Sequence, residues 1–309
     1  MKTFNSISEY HSERPSVVTI GTFDGVHIGH RKIIRRVTDN AASEDCESLI
    51  LTFFPHPRMV LQPGDSIKLL NTPDEKNFLL DQTGLDSLII HPFDQNFSKL
   101  EAEDFVREVL VEKFKIHKII IGHDHRFGRN RAADINDLVA FGQKYGFHVE
   151  QIPVEEINDI SVSSTKIRNA IAEGNLAIAN RFLDYNYILT GTVVAGKQLG
   201  RSIGFPTANI QINEAYKLLP KNGVYVVDAE IEGDAISGMM NIGTRPTVGG
   251  NEQSVEVHFF DFDSDLYDKA IRISVLHRLR DEQHFPSVAH LKEQLIKDKD
   301  ASLAYITAS

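Results

Sequence analysis

Residues 21–30 read GTFDGVHIGH, with three glycines, Asp24 and two histidines, His27 and His30. A β-branched apolar run, Val17-Val18-Thr19-Ile20, precedes the stretch, and a helix-like pattern over residues 31–40 follows it. A strand that turns this sharply into a helix presents the helix's first N–H groups, which lack intrahelical partners, and the positive end of its dipole. That combination favours an anion. His27 and His30 are three apart and share one helix face, so both imidazoles can donate to phosphate oxygens. Gly25 and Gly29 let a ligand approach the backbone closely. Zinc fits less well: it takes three or four protein ligands, and this spacing supplies two.

A second phosphate cradle of the same kind is read at Ser163-Ser164-Thr165-Lys166-Ile167-Arg168, where hydroxyls and cations open a predicted helix. Taken alone, the segment reads as a plain N-cap followed by solvated basic residues; it becomes a phosphate cradle when paired with GTFDGVHIGH. Gly191 to Lys197 has the GxxxxGK spacing of a P-loop. Position 198 is Gln where the metal-binding hydroxyl belongs, and the LGRSIGFPTAN that follows cannot open the required helix. The loop GRSIGFPTANI, residues 200–210, is the better candidate, because Gly200 and Gly204 leave backbone N–H groups open to phosphate. Thr207 and Asn209 are two apart in an extended segment and point the same way, offering a hydroxyl and an amide oxygen suited to Mg2+. In SVEVHFFDF, residues 254–262, Glu256 alternates with Val255 and Val257. Its carboxylate is therefore turned away from the aliphatic face, among aromatic neighbours, where it suits a general base.

The elements that must hold these groups change character along the chain. Strand patterns over 17–21, 48–53, 86–91, 118–122 and 148–153 alternate with helical ones over 31–40, 73–82, 102–114 and 133–145. Short, nearly continuous apolar strands between helices predict a doubly wound parallel α/β sheet, with ligands at the C-terminal strand ends. Two short helices, 164–174 and 176–183, lead into a strand-rich half with strands over 187–194, 224–231, 236–242, 254–260 and 270–276. Turn residues separate them, which predicts an antiparallel barrel or sandwich closed by one helix near 287–299. The domains are expected to be 1–184 and 185–309.

Composition narrows the function classes. The chain has 309 residues, 41% hydrophobic and 25% charged, which is globular, and no apolar run approaches the roughly 20 residues of a membrane span. The polar N-terminus, MKTFNSISEYHSERP, lacks a secretion-signal core, and Cys46 alone makes no internal disulfide, so a cytoplasmic location with no membrane partner is expected. A formal net charge of −10 gives a nucleic-acid partner no broad support. Oligomeric state is not legible at this level.

GTFDGVHIGH resembles the nucleotide-binding motif of the HxGH nucleotidyltransferases, and its FDGVH form is similar to that of the bacterial bifunctional riboflavin kinase/FMN adenylyltransferases. Thr52-Phe53-Phe54-Pro55-His56-Pro57 resembles that family's TFxPHP segment, Gly122 to Gly128 its GxDFRFG segment, and Ser163 to Arg168 its SSTxIR segment. GRSIGFPTANI, NGVYVV, NIGTRPTVGG, VEVHFFDFDSDLYDK and LRDEQHF resemble the riboflavin kinase domain, in order. The resemblance implies a Rossmann-like nucleotidyltransferase domain followed by a small β-barrel kinase domain. It implies phosphorylation of riboflavin to FMN, then adenylyl transfer from ATP to FMN giving FAD and pyrophosphate, both with Mg2+.

Carried over residue by residue, His27 and His30 steady the triphosphate, with Gly21, Phe23, Asp24 and Gly29 around the nucleotide. Ser164, Thr165 and Arg168 hold the β- and γ-phosphates, and Asp124 lies near the flavin or nucleotide. Thr207 and Asn209 bind Mg2+ with ATP beside Gly200 and Gly204, Glu256 is the base, and Arg280 lies near the flavin. His56, between two prolines, is read as structural or flavin-lining. Departures are His123 and His125, where the family often has an acidic and an aromatic residue, and Asp184, where it usually has glycine. The alternatives are that only one domain is active, that the protein is a flavin-binding regulator, or that it adenylylates another cofactor precursor.

Overall fold

The computed structural model describes residues 1–62, 64, 67–122, 126–153, 162–196, 199–247 and 250–308. They form two compact units, Met1–Ser164 and Thr165–Ser309.

The first unit is built on a six-stranded parallel sheet. Its strands are β1 (Lys2–Phe4), β2 (Ser16–Ile20), β3 (Glu47–Phe53), β4 (Ser87–His91), β5 (Ile116–Ile121) and β6 (His148–Gln151), in the order β1-β4-β3-β2-β5-β6. β2 is central and buried along its whole length, which is why it reads as an unbroken apolar run rather than an alternating one. Val18 and Ile20 face a cluster that includes Leu49, Ile119, Phe105, Leu110 and Phe114, whereas Val17 packs with Val37, Ala41 and Ile120 on the other side. Chain order runs outward from β2 through β3 and β4 to one edge, then restarts at β5 on the other side of β2. The C-terminal ends of β2 and β5 thus flank the switch point where such sheets bind ligands. GTFDGVHIGH leaves β2 at this point.

The helices of this unit are α1 (Ile28–Ser43), α2 (Pro57–Leu61), α3 (Pro73–Asp81), α4 (Ala102–Asp104) and α5 (Ile135–Tyr145). α1 buries Ile34, Val37 and Ala41, positions spaced by helical turns. Thr72 and Glu75 close a capping box on α3, which fixes where that helix begins. The run predicted as one helix over 102–114 is α4 followed by a π-helical stretch, Phe105–Lys113. β1 was not expected. Three residues are too few for a periodic signal, and only pairing with β4 makes them a strand. α2, five residues long, escaped for the same reason.

The second unit opens with α6 (Ser164–Glu173) and α7 (Leu176–Leu183) and continues into β7 (Tyr187–Val194), α8 (Leu199–Ser202), β8 (Ala208–Gln211), β9 (Gly223–Ile231), β10 (Asp234–Thr247), β11 (Gly250–Phe259), β12 (Ala270–Arg280) and α9 (Val288–Ala308). The six strands close an antiparallel barrel in the order β10-β11-β8-β7-β12-β9. α9 runs beyond the predicted end near residue 299, and its Leu295 and Ile306 pack with Phe205, Met239 and Phe260 on the barrel. Asp184 ends α7 in the left-handed conformation, φ 62°. This backbone favours glycine and is tolerated by aspartate, which accounts for the substitution at that position.

Candidate active sites

In the first unit, the residues after β2 form a turn in which Phe23 (φ 46°), Gly25 (φ 91°) and Val26 (φ 37°) all adopt left-handed backbone. For a β-branched valine this is a strained state that neighbours must hold. They do: Asp24 is buried, and its Oδ1 accepts the N–H groups of Leu70 at 2.9 Å and Asn71 at 3.3 Å. Ser164 Oγ donates to the Asp24 carbonyl at 2.8 Å, tying the SSTKIR segment to the turn. Phe23 is also buried and meets the His30 ring edge-on, centroids 5.1 Å apart. Phe23 and Asp24, expected around the nucleotide, are both buried in the turn and help to shape it.

The two histidines stand together at the start of α1. His27 is the N-cap, its Nδ1 accepting the His30 N–H at 3.4 Å, which leaves the proton of the neutral ring on Nε2. The rings stack with centroids 3.6 Å apart and planes 16° apart. A β-carbon at Gly29 would lie 3.3 Å from both the His27 ring and Val162, so this glycine lets the ring pack flat on the helix start. His30 is half-buried, and its Nδ1 is a buried atom with no hydrogen-bond partner among the described residues. Desolvation, then the positive neighbours His27 and Lys76, hold its pKa well below the usual 6.5. The site thus presents a neutral His30 imidazole stacked on His27 at a positive helix end.

Thr165 and Arg168 follow in the first turns of α6, Thr165 exposed and Arg168 half-buried. Asp124, with His123 and His125, lies outside the described residues. His56 caps α2, its Nδ1 accepting the Arg58 N–H at 3.2 Å.

In the second unit, β8, β11 and β10 set Asn209, Glu256 and Asn241 directly opposite one another. Residues paired in this way share a face. Thr207 Oγ1 donates to Glu256 Oε2 at 3.4 Å. Val255, Val257 and Phe259 are buried, whereas Glu256 is half-buried on the opposite face. A β-carbon at Gly196 would fall 2.0 Å from Asn209 Nδ2, so the backbone there lies flat against the amide. Gly200 accepts the Phe205 N–H at 2.8 Å, and Gly204 (φ 88°) reverses the chain between α8 and β8. The loop therefore delivers Thr207 and Asn209 side by side to the carboxylate.

Arg280 is placed differently from expectation. Its Nε and Nη2 grip both oxygens of Asp298 on α9 at 2.7–3.1 Å, and Nη1 donates to the Asp281 carbonyl. The Asp298 side chain is 4% exposed. Breaking a pair this buried costs about 3–5 kcal/mol, so Arg280 anchors α9 to the barrel.

Comparison with known proteins joins the two sites. The FAD synthetase model matches residues 9–166 and the riboflavin kinase model residues 183–306. The bifunctional riboflavin kinase/FMN adenylyltransferase of Escherichia coli is 35% identical over 284 residues, 92% of this chain and 90% of that protein. The Bacillus subtilis protein of the same name is 32% identical over 316 residues, 99% of each. This chain belongs to the bifunctional riboflavin kinase/FMN adenylyltransferase family.

A crystal structure from Streptococcus pneumoniae, named a macrolide-efflux protein, superposes with a TM-score of 0.88 at 30% identity over 97% of each chain. Among the described residues of the present chain, no helix is long and apolar enough to cross a membrane. Riboflavin kinases and FAD synthetases use ATP and typically a divalent metal.

Sequence reading missed a chain of packed phenylalanines in the core of the first unit. Phe53 meets Phe93 and Phe97 at 5.6 and 5.5 Å, Phe97 meets Phe105 at 6.1 Å, and Phe105 meets Phe127 at 6.1 Å. These phenylalanines come from four separate segments, so no local periodicity marks them. It also missed Asn241, which only the register of β10 with β11 brings beside Glu256.

Proposed function

We infer that the two units carry out successive steps of flavin cofactor synthesis: riboflavin and ATP give FMN and ADP at the barrel, and FMN and ATP give FAD and pyrophosphate at the parallel sheet. The observation that carries this reading is the presence in one chain of both the stacked His27–His30 pair at a helix start and the Glu256 carboxylate opposite Thr207 and Asn209. We put the functional boundary at 184/185, in the short link between Asp184, which caps α7, and β7, which begins at Tyr187.

At the barrel, Thr207 and Asn209 would hold Mg2+ together with ATP. A hydroxyl and an amide oxygen beside a carboxylate make an all-oxygen donor set, as that ion requires. Bound there, the ion would neutralise charge on the transferring phosphoryl group. Glu256 takes the proton from the riboflavin 5′-hydroxyl as that oxygen attacks the γ-phosphorus and the bond to the ADP oxygen breaks. Gly200 and Gly204 shape the loop over the phosphates. The contact between Gly196 and Asn209 gives a direct test. Gly196→Ala is expected to displace the amide and lower riboflavin phosphorylation about 100-fold, with FMN adenylylation unchanged when both rates are measured on the same preparation.

At the sheet, an oxygen of the FMN phosphate attacks the α-phosphorus of ATP, and pyrophosphate leaves. The nucleophile is already an anion, so no covalent enzyme intermediate is needed, and the protein's task is positioning and charge stabilisation. The Nε2–H of His27 is oriented to donate, and His30 gains a proton more readily once phosphates surround it. Gly21 and Gly29 keep the turn compact. Ser164, Thr165 and Arg168 would bind the β- and γ-phosphates, and Asp124 the flavin or nucleotide. A single cysteine, Cys46, which is buried and free, suits a cytoplasmic location.

Chromatography of flavins after incubating the protein with riboflavin, ATP and Mg2+ tests the whole scheme. FMN followed by FAD is the expected result. FMN that accumulates without FAD leaves only the kinase, and unchanged riboflavin with tight flavin binding points to a regulator.

A further inference from the structure

Beside the parallel-sheet site lies a buried cation with no part in the chemistry above. Lys76 on α3 is 8% exposed. Its Nζ donates to the Thr22 carbonyl at 2.6 Å and to Thr52 Oγ1 at 3.4 Å, and Thr52 Oγ1 donates to the same carbonyl at 3.1 Å. One main-chain oxygen of the turn therefore receives donors from both β3 and α3. Two residues further on, the Asp24 carboxylate takes the N–H groups of Leu70 and Asn71, in the segment leading into α3. The turn and this segment are tied in both directions, carboxylate to amides and ammonium to carbonyl.

Packing alone does not explain the choice of residue. A buried ammonium is costly to desolvate, and an apolar side chain of the same length would fill the space. The titratable groups that act on or are acted on by Lys76 are Asp24 of the turn and His30 in the first turn of α1. His56, after β3, lines with Lys76 and Asn71 a cavity of about 10 Å3, the size of one water. The turn that Lys76 holds is the strained one, with left-handed backbone at Phe23, Gly25 and Val26.

We propose that Lys76 is a positioning residue for adenylyl transfer: its ammonium holds the Thr22 carbonyl so that the strained turn delivers His27 and His30 to the nucleotide phosphates. The inference rests on the adenylyltransferase reading of this site. Burial pulls the Lys76 pKa down to about 8, against the opposing pull of Asp24. The ammonium is therefore present below about pH 8 and is lost as the pH rises through that value. Its loss turns a charge-assisted bond into a weaker neutral one.

The test measures FAD formation from FMN and ATP, and FMN formation from riboflavin and ATP, across the neutral and alkaline range with the full chain. Wild-type kcat/KM for FAD formation is expected to fall several-fold as the pH rises through about 8. Lys76→Met, similar in length and uncharged, should lower FAD formation about ten-fold at neutral pH. The loss should fall on kcat more than on KM, with the alkaline fall gone and riboflavin phosphorylation unchanged. Lys76→Arg carries a charge that does not titrate in this range. It should recover part of the rate, also without the alkaline fall, and it decides the matter should the methionine variant not fold. A wild-type profile that is flat across pH 8, or an alkaline fall that persists in either variant, overturns the proposal. Wild-type protein that makes FMN but never FAD overturns the adenylyltransferase reading, and this inference with it.

Discussion

Glu256→Gln should slow riboflavin phosphorylation about a thousand-fold while leaving FAD formation from FMN and ATP at the wild-type rate. A positioned general base contributes about 10²–10⁴ to a proton-transfer step, and glutamine fills the same space without accepting a proton. The amide oxygen can still take the bond from Thr207 Oγ1, and Asn209 still lies across the strand pair, so the local frame survives. The loss should fall on kcat, with little change in KM for riboflavin. Starting one assay from riboflavin and another from FMN separates the two activities in one preparation. A variant that phosphorylates at the wild-type rate would assign the proton to a different acceptor. A variant that also loses FAD formation from FMN would argue against two separate sites.

His30→Ala should do the reverse, lowering FAD formation from FMN about 10²–10³-fold, the scale for removing one preorganised transition-state donor, with FMN formation intact. The ring also stacks on His27 and meets Phe23, so alanine loosens the second histidine as well. A stability effect accompanies the kinetic one. The folded His30 pKa lies well below 6.5, so as the pH falls below that value the unfolded chain binds a proton that the folded site refuses. Stability is therefore full above about pH 6.5 and is lost progressively toward the folded pKa. Thermal unfolding at neutral and at mildly acidic pH should show a drop in Tm that is smaller in His30→Ala. An identical drop in both proteins would mean that His30 is not held neutral.

Much of this was legible in the residues because it is local. A β-branched run entering a glycine turn and then a helix dictates strand, turn and helix start, and two histidines three apart on that start must share a face. Thr207 and Asn209 share a side because extended backbone repeats every two residues, and Glu256 opposes the aliphatic face for the same reason. The parallel sheet and the barrel followed from unbroken apolar strands in one half and turn-separated strands in the other. What required the folded chain was every relation between segments far apart in sequence. Asp24 reads as a ligand in its motif, and only the fold shows its Oδ1 accepting the amides of Leu70 and Asn71. Arg280 reads as a flavin contact, yet an aspartate 18 residues on takes its guanidinium. Lys76 lies in no motif, yet it ends buried against Thr22. Local sequence specifies which groups are offered and on which face. Only tertiary packing decides which of them are consumed by one another and which remain for the substrate, because a hydrogen bond or ion pair depends on distances that no spacing along the chain contains.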